Sequence, residues 1–352
     1  MGPKPTLAAT AASLLAVLAA VHLAVAATAV DDAPLPRLPQ HDIPAVFAFG
    51  DSTLDTGNNN VLPTMVRADH APYGREFPGG APTGRFSDGK LLTDYLVEVL
   101  GIKELLPAYR SGAANLTGAD LATGVCFASA GSGLDDATAT NAGVATFGSQ
   151  LADFKQLLGK IGARKARKVV KKSVFLVSAA TNDMMMNYYM LPSGRSKYTL
   201  EQYHDLLMGM YELGARRMLV AGLPPVGCLP LQLTMAELRQ PSRPQGCIAE
   251  QNAAAVSYNA KLQRMLAELQ SRSPGARAVY ADIYSPLKDM VDHPGKYGGT
   301  GLLEMGPLCT DMVPTCAKPS EFMFWDSVHP TQATYKAVAE HFIQANILRF
   351  DN

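Results

Sequence analysis

Val46-Phe47-Ala48-Phe49-Gly50-Asp51-Ser52-Thr53-Leu54-Asp55-Thr56-Gly57-Asn58-Asn59-Asn60 is the stretch whose reading decides the fold. Four consecutive apolar residues read as a short buried strand. Gly50-Asp51-Ser52 breaks that run, and Asp55 to Asn60 continues with turn formers. Ser52 is thereby placed just past the carboxyl end of a strand, the edge at which open α/β sheets bind ligands. A serine there can be a nucleophile only with a base beside it, because a free hydroxyl is weak at neutral pH. Taken alone, Gly-Asp-Ser reads more readily as a Ser/Asp cap on the next helix.

The far end of the chain shifts that balance. It reads Phe324-Trp325-Asp326-Ser327-Val328-His329-Pro330-Thr331. In a turn-like loop, a carboxylate three residues before an imidazole can meet its Nδ1–H. Such a contact fixes the tautomer and leaves Nε2 as a general base. Pro330 restricts His329 to extended geometry, and Thr331 can cap the helix that follows. On its own this segment reads equally as a His-Pro loop with an Asp cap.

Together the two ends resemble the plant GDSL esterase/lipase family of the SGNH hydrolase superfamily. The first matches Phe-Gly-Asp-Ser followed by Asp-x-Gly-Asn-Asn, the last Asp-x-x-His-Pro-Thr. Between them lie Pro72-Tyr73-Gly74, Pro82 to Lys90 (PTGRFSDGK) and Leu223 to Pro230 (LPPVGCLP). The resemblance runs from about Ala45 to the C-terminus. It implies Ser52 as nucleophile, His329 as base and Asp326 as its orienting acid. It also implies Ser52, Gly131 and Asn182 as oxyanion donors. Gly131 follows an apolar stretch, Val125 to Ala130, that runs into a small-residue turn. Asn182 ends the strand-like Val174 to Ser178. Three residues depart from the family: Cys126 stands where many relatives have Asn, and Ala130 and Ala180 stand where Gly is usual. Relatives also carry about two to three more helical turns between Leu207 and Tyr211. They carry a further segment with adjacent cysteines near Gly299-Thr300-Gly301.

Lys and Arg number 31 and so do Asp and Glu, which speaks against a nucleic-acid partner or a polybasic membrane patch. The short basic run from Arg164 to Lys172 reads as a solvated helix end. A hydrophobic content of 47% supplies one large core. Residues 1–29 have the character of a cleaved signal peptide: Lys4, an Ala/Leu/Val-rich core, then small residues. A membrane anchor is the competing reading of that segment. Residues 30–44 read as an extended lead-in and 45–352 as a single domain. Asn115-Leu116-Thr117 is a glycosylation sequon. The expectation is a secreted, monomeric protein of the extracellular space or cell wall, without a membrane span once the signal is removed.

In an oxidising compartment, five cysteines leave one thiol over. Cys126, in its apolar stretch, is the candidate. Cys228 with Cys247 and Cys309 with Cys316 are pairs suggested by proximity. No Cys/His cluster has metal-ligand spacing, so neither metal nor cofactor is expected.

Helices are expected at Leu91–Leu100, Phe147–Ile161, Thr199–Leu213, Ala249–Leu269 and Thr331–Leu348. Strands are expected at Val174–Ser178, Arg216–Ala221 and Ala276–Ile283, in addition to the stretches at Val46 and Val125. Residues 63–88, rich in Gly and Pro, read as a long surface loop, and Met184 to Met186 as core or one wall of an acyl pocket. Alternating strands and helices predict a three-layer α/β/α fold, flavodoxin-like as in the SGNH family, with about five parallel strands. The expected activity is ester hydrolysis through an acyl-enzyme, on a small-molecule, lipid or polysaccharide ester. Two rivals share the pocket: an acyltransferase, and a secreted binding protein with impaired catalysis.

Overall fold

The computed structural model describes residues 34–38, 41–112, 115–190, 205, 209–242, 246–294, 309 and 315–347. Four strands form one sheet: β1 (Val46–Gly50), β2 (Val174–Ser178), β3 (Arg217–Ala221) and β4 (Arg277–Ala281). They lie in sequence order and pair in parallel, with Val46 beside Val174, Val174 beside Arg217 and Arg217 beside Arg277. All five residues of β1 and of β2 are buried, as near-continuous apolar strands must be when both sheet faces are covered.

The two-residue alternation of a strand divides the core. Phe47, Phe49, Phe175, Val177, Met218 and Val220 face one side. Val46, Ala48, Val174, Leu176 and Leu219 face the other. The longer described helices covering these faces include α1 (Leu92–Val99), α2 (Phe147–Ile161), α3 (Ala249–Arg272) and α4 (Gln332–Asn346). Phe154 and Leu157 of α2 and Leu262 and Leu266 of α3 pack on the first face. Leu92 and Leu96 of α1 and Ala339 and Phe342 of α4 pack on the second. The fold is α/β in three layers, as expected. The first face is aromatic: the Phe49 and Phe127 rings stack at 5.0 Å, and Phe154 meets Phe49 edge-on at 5.7 Å.

The limits of α2 and β2 coincide with the expected ones, and those of α1, α3, α4, β3 and β4 differ by a few residues at their ends. Thr331 caps α4, its hydroxyl accepting from Thr334 N–H. The basic run lies on a helix, Ala163–Val170, with Arg164, Lys165, Arg167 and Lys168 exposed. The expected helix from Thr199 falls largely outside the described residues, which pick up helical backbone at 209–212. The N-terminal leader, residue 207 and residues 296–301 lie outside them as well.

Three expectations need correction. The stretch after Gly124 is a ribbon rather than a fifth strand. It touches β1 through one parallel bridge, Ala48 to Cys126, and Cys126 also bridges Ala108. It also donates Phe127 N–H to Ala48 O and Ser129 N–H to Gly50 O, while its carbonyls at Cys126 and Ala128 accept from the Asn58 amide, Cys126 O sharing that role with Tyr109 N–H. Residues 63–88 form no regular helix or strand, yet they are no mere surface loop: Tyr73, Arg85, Phe86, Ser87 and Asp88 are buried. Arg85 forks onto both oxygens of Asp94 in α1 at 2.8 Å each, a geometry that repays the desolvation of a buried pair. Finally, Cys228 is joined to Cys247, but Cys309 and Cys316 are not joined to each other; Cys309 Sγ lies 3.4 Å from Trp325 O. Cys126 is a buried thiol, donating to Leu54 O at 3.1 Å and pushed up to about 12 by burial. Met184 and Met185 fill the aromatic-face core, while Met186 is exposed.

Candidate active site

The turn after β1 is clamped from both sides. Gly50 N–H donates to Gln150 Oε1 and Gln150 Nε2 donates back to Gly50 O, both at 2.9 Å. Gly50 has φ +148°, and a Cβ there would stand 2.1 Å from Ser178 O. Only glycine lets β1 and β2 approach so closely at the point where the chain leaves the sheet.

Downstream, the turn formers are buried side chains that bind backbone. Asp55 accepts from Gly57 N–H (2.8 Å), Asn58 N–H (2.7 Å) and Ala130 N–H (2.9 Å). Asn58 Nδ2 donates to Cys126 O and Ala128 O, and Asn59 Nδ2 to Ala130 O. These bonds stitch the Ser52 turn to the loop that carries Gly131.

Ser52 Oγ donates to His329 Nε2 at 2.7 Å. On the other side of the ring, Nδ1–H lies 2.7 Å from Asp326 Oδ2 and 2.9 Å from Oδ1. The carboxylate on Nδ1 sets the tautomer and leaves Nε2 as acceptor. Asp326 Oδ1 also accepts from Val328 N–H and His329 N–H at 2.8 and 2.7 Å. The three-residue spacing thus closes a compact turn around its own carboxylate. All three residues are buried.

Two neighbours of this arrangement were not assigned from sequence. Tyr73 Oη donates to Asp326 Oδ2 at 2.8 Å, and the Phe86 ring lies 4.9 Å from the His329 ring. Tyr73 sits in a block quoted for the resemblance, but its partner is 253 residues away, and no local pattern reports so distant a contact.

Of the expected oxyanion donors, neither Ser52 N–H nor Gly131 N–H is taken by an acceptor among the described residues. Gly131 has φ +81°. Asn182 is buried and its Nδ2 donates to Ser132 O at 2.9 Å, which occupies one of the two amide hydrogens. Just before it, Ala180 has φ +86°. A side chain in this left-handed region costs about 1–2 kcal/mol.

Burial pushes the Asp51 and Asp55 carboxyls up to about 6. A cavity of about 70 Å³ is lined by Ser52 and Asn182 together with residues from both faces of the sheet, among them Leu176, Ala221 and Val338. Met184 to Met186, expected as a possible wall, do not line it.

A family model described as GDSL-like Lipase/Acylhydrolase matches residues 46–342. The chain belongs to this family. A GDSL esterase/lipase of Arabidopsis thaliana, At2g40250, is 45% identical over 87% of this chain and 90% of its own length. A second from that plant, At2g31550, is 42% identical over 84% of this chain and 87% of its own. Among solved structures, a catalytic mutant of the acetylxylan esterase Axe2 from Geobacillus stearothermophilus is similar at 12% identity and TM-score 0.39. It covers 87% of this chain and 95% of that one. The lipase Lip_vut3 from a goat rumen metagenome is similar at 15% identity and TM-score 0.35, over 86% and 96%. As a GDSL esterase/lipase, the protein is a carboxylic ester hydrolase. No described helix is long and apolar enough to cross a membrane.

Proposed function

We propose that hydrolysis runs through an acyl-enzyme on Ser52. The observation that carries this reading is the continuous chain of contacts from Ser52 Oγ through His329 to Asp326, at 2.7 Å for each link. His329 Nε2 takes the hydroxyl proton as Ser52 Oγ attacks the ester carbonyl. The Asp326 carboxylate stabilises the imidazolium that forms. Ser52 N–H, Gly131 N–H and the Asn182 amide stabilise the oxyanion. Collapse of the tetrahedral intermediate expels the alcohol with the proton from His329, leaving acyl-Ser52. Water, deprotonated by the same imidazole, releases the acid and restores the serine.

The test is hydrolysis of short-chain esters by the wild type and four variants. Ser52→Ala should abolish turnover. His329→Ala should be nearly as damaging, because the two residues act as a unit. Asp326→Ala should be milder, and Asn182→Ala should lower kcat by about 10²–10³-fold. A serine-directed phosphonate should appear on Ser52 by mass spectrometry; its attachment to another residue, or full activity in Ser52→Ala, would overturn the assignment.

The same protein is proposed to be secreted and glycosylated at Asn115. The composition of residues 1–29, the Cys228–Cys247 disulfide and the exposure of Asn115 support this. Expression in a eukaryotic secretory host should yield a chain beginning near Asp31 whose mass falls on glycosidase treatment. A cytosolic product retaining Met1 would count against it.

A further inference from the structure

The basic run belongs to a larger charged face. Ala166 and Val170 of the Ala163–Val170 helix are buried, and Val170 joins the aromatic-face core. With that side of the helix fixed inward, the 3.6-residue period turns Arg164, Lys165, Arg167 and Lys168 outward. Lys171 and Lys172 follow at its end, and all of these residues are exposed. Ser173 closes the last turn, its N–H and hydroxyl both donating to Val169 O, so the helix leads directly into β2. The neighbouring strands extend the charge: Arg217 and Arg277 head β3 and β4 in register with Val174. Arg217 Nη1 donates to Lys172 O at 2.9 Å.

This face lacks the opposite charges that a merely solvated helix carries. Exposed helices commonly alternate signs and gain from pairs three or four residues apart. Here Arg164 stands at those spacings from Arg167 and Lys168, and Lys168 from Lys171 and Lys172, and like charges so placed destabilise a helix. No Asp or Glu occurs between Phe154 and Asn182. Asp42 pairs with Lys172 at 3.0 Å and Arg217 at 2.7 Å. Arg164, Lys165, Arg167, Lys168 and Lys171 have no ion-pair partner among the described residues. The whole chain balances 31 cations against 31 anions, so the excess is local.

We propose that this face docks an acidic polysaccharide bearing a carboxylate on successive sugars, and so holds the esterase on that polymer. Charge complementarity calls for a polyanion. The secretion proposed above decides which one, because nucleic acid and the anionic cytoplasmic leaflet are not met outside the cell; the choice of a polysaccharide rests on that reading. Arginine takes a carboxylate through two parallel N–H bonds, and cations repeated along one helix face match an acceptor repeated along a chain. The location favours tethering. The face lies at the amino ends of the strands, whereas Ser52 follows the carboxyl end of β1, and the five residues of β2 between the two edges span about 15 Å. A bound polymer therefore leaves the catalytic edge open.

The experiment measures binding of the mature chain to polygalacturonate by titration calorimetry, beside hydrolysis of p-nitrophenyl acetate. The wild type should bind, and its affinity should fall at least about tenfold between 50 and 200 mM salt, as displaced counterions require. The fully methyl-esterified polymer, with the same backbone and no charge, should not bind. Replacing Arg164, Lys165, Arg167 and Lys168 together by Gln should weaken binding at least about tenfold, leave ester hydrolysis unchanged and not lower the melting temperature. If that variant does not fold, Arg164→Gln with Lys165→Gln carries the test with a loss of about threefold; it removes cations only from the helix end whose dipole disfavours them. Lys261→Gln with Arg264→Gln, exposed on α3, matches that pair in net charge and should leave binding unchanged. Undiminished binding in the helix variants, equal binding to the esterified polymer, equal loss in the α3 variant, or tighter binding to phosphatidylserine–phosphatidylcholine vesicles would overturn the proposal. A cytosolic product retaining Met1 would instead remove the secretion on which the choice of polymer rests.

Discussion

The two loops that meet at the site are held by different means. The Gly50–Asn60 turn is fastened by its own side chains, Asp55, Asn58 and Asn59, to the ribbon that precedes Gly131. The Phe324–Thr331 loop is hung from the 63–88 strap. Tyr73 reaches Asp326, Ser87 Oγ donates to Pro330 O at 3.1 Å, and Asp88 Oδ1 accepts from Gln332 N–H at 2.6 Å. The first loop is secured redundantly and by ordinary backbone satisfaction. The second closes on its own backbone and the Asp326 carboxylate, with Trp325 N–H on His329 O and Leu231 N–H on Ser327 O, and adds contacts to a remote segment that has no regular structure of its own. Changes in the first should therefore register as lost stability, and changes in the second as altered chemistry with the fold kept.

The contrast breaks most sharply at Asp55. Asp55→Ala strands three buried N–H groups, and each unmet donor costs about 1–3 kcal/mol. We expect a loss of about 3–5 kcal/mol in denaturant unfolding, and a change under about 1 kcal/mol would refute the stitching role. Tyr73→Phe keeps the packed ring and deletes two hydrogen bonds, one donated to Asp326 and worth about 1.5–3 kcal/mol, the other accepted from Cys309 N–H at 3.1 Å. The melting temperature should fall by a few degrees, while kcat falls about 10–100-fold, at about 1.4 kcal/mol per decade. A lower melting temperature with unchanged kcat would make Tyr73 merely structural and erase the difference between the loops.

The smallest effect is a dependence on pH. Burial raises the Asp88 carboxyl to about 6, above its value near 3.8 in an unfolded chain. The folded state thus holds the Asp88 proton more tightly. The associated stability is fully present below about pH 4 and is lost as pH rises through about 6. Asp88→Asn cannot ionise, so the melting temperature of the wild type relative to this variant should fall by a few degrees between pH 4 and pH 7. Taking the difference cancels Asp51 and Asp55, which shift the same way. A difference growing with pH would show that the strap favours the carboxylate, and a constant one that it favours neither form; either would refute the expectation.

What could be read from the sequence follows the range of the interactions. Ser52 at the end of β1, and Asp326 three residues before His329, are local patterns, and the strands and helices covering both sheet faces follow from apolar runs and periodicity. Asn58 and Asn59 look like any turn asparagines, because composition does not reveal that their amides are buried against carbonyls 68 to 71 residues away. The ribbon at Cys126 has the apolar character of a strand and bonds to β1 at Val125, Phe127 and Ser129, but composition does not show that Asn58 shares its carbonyls. Cys309 and Cys316 are near in sequence, yet nearness alone does not orient two side chains for a bond. The strap hid Tyr73 for a similar reason: its Gly and Pro residues announce a loop, but not which side chains that loop turns inward.

The bond from Ser52 to His329 spans 277 residues, and this has a meaning in time. A chain made from its N-terminus displays the serine early and the imidazole only near the end. Throughout synthesis that hydroxyl has no base to activate it. With the proposed acyl-enzyme chemistry, reactivity would arrive only once the Phe324–Thr331 loop has been made and docked.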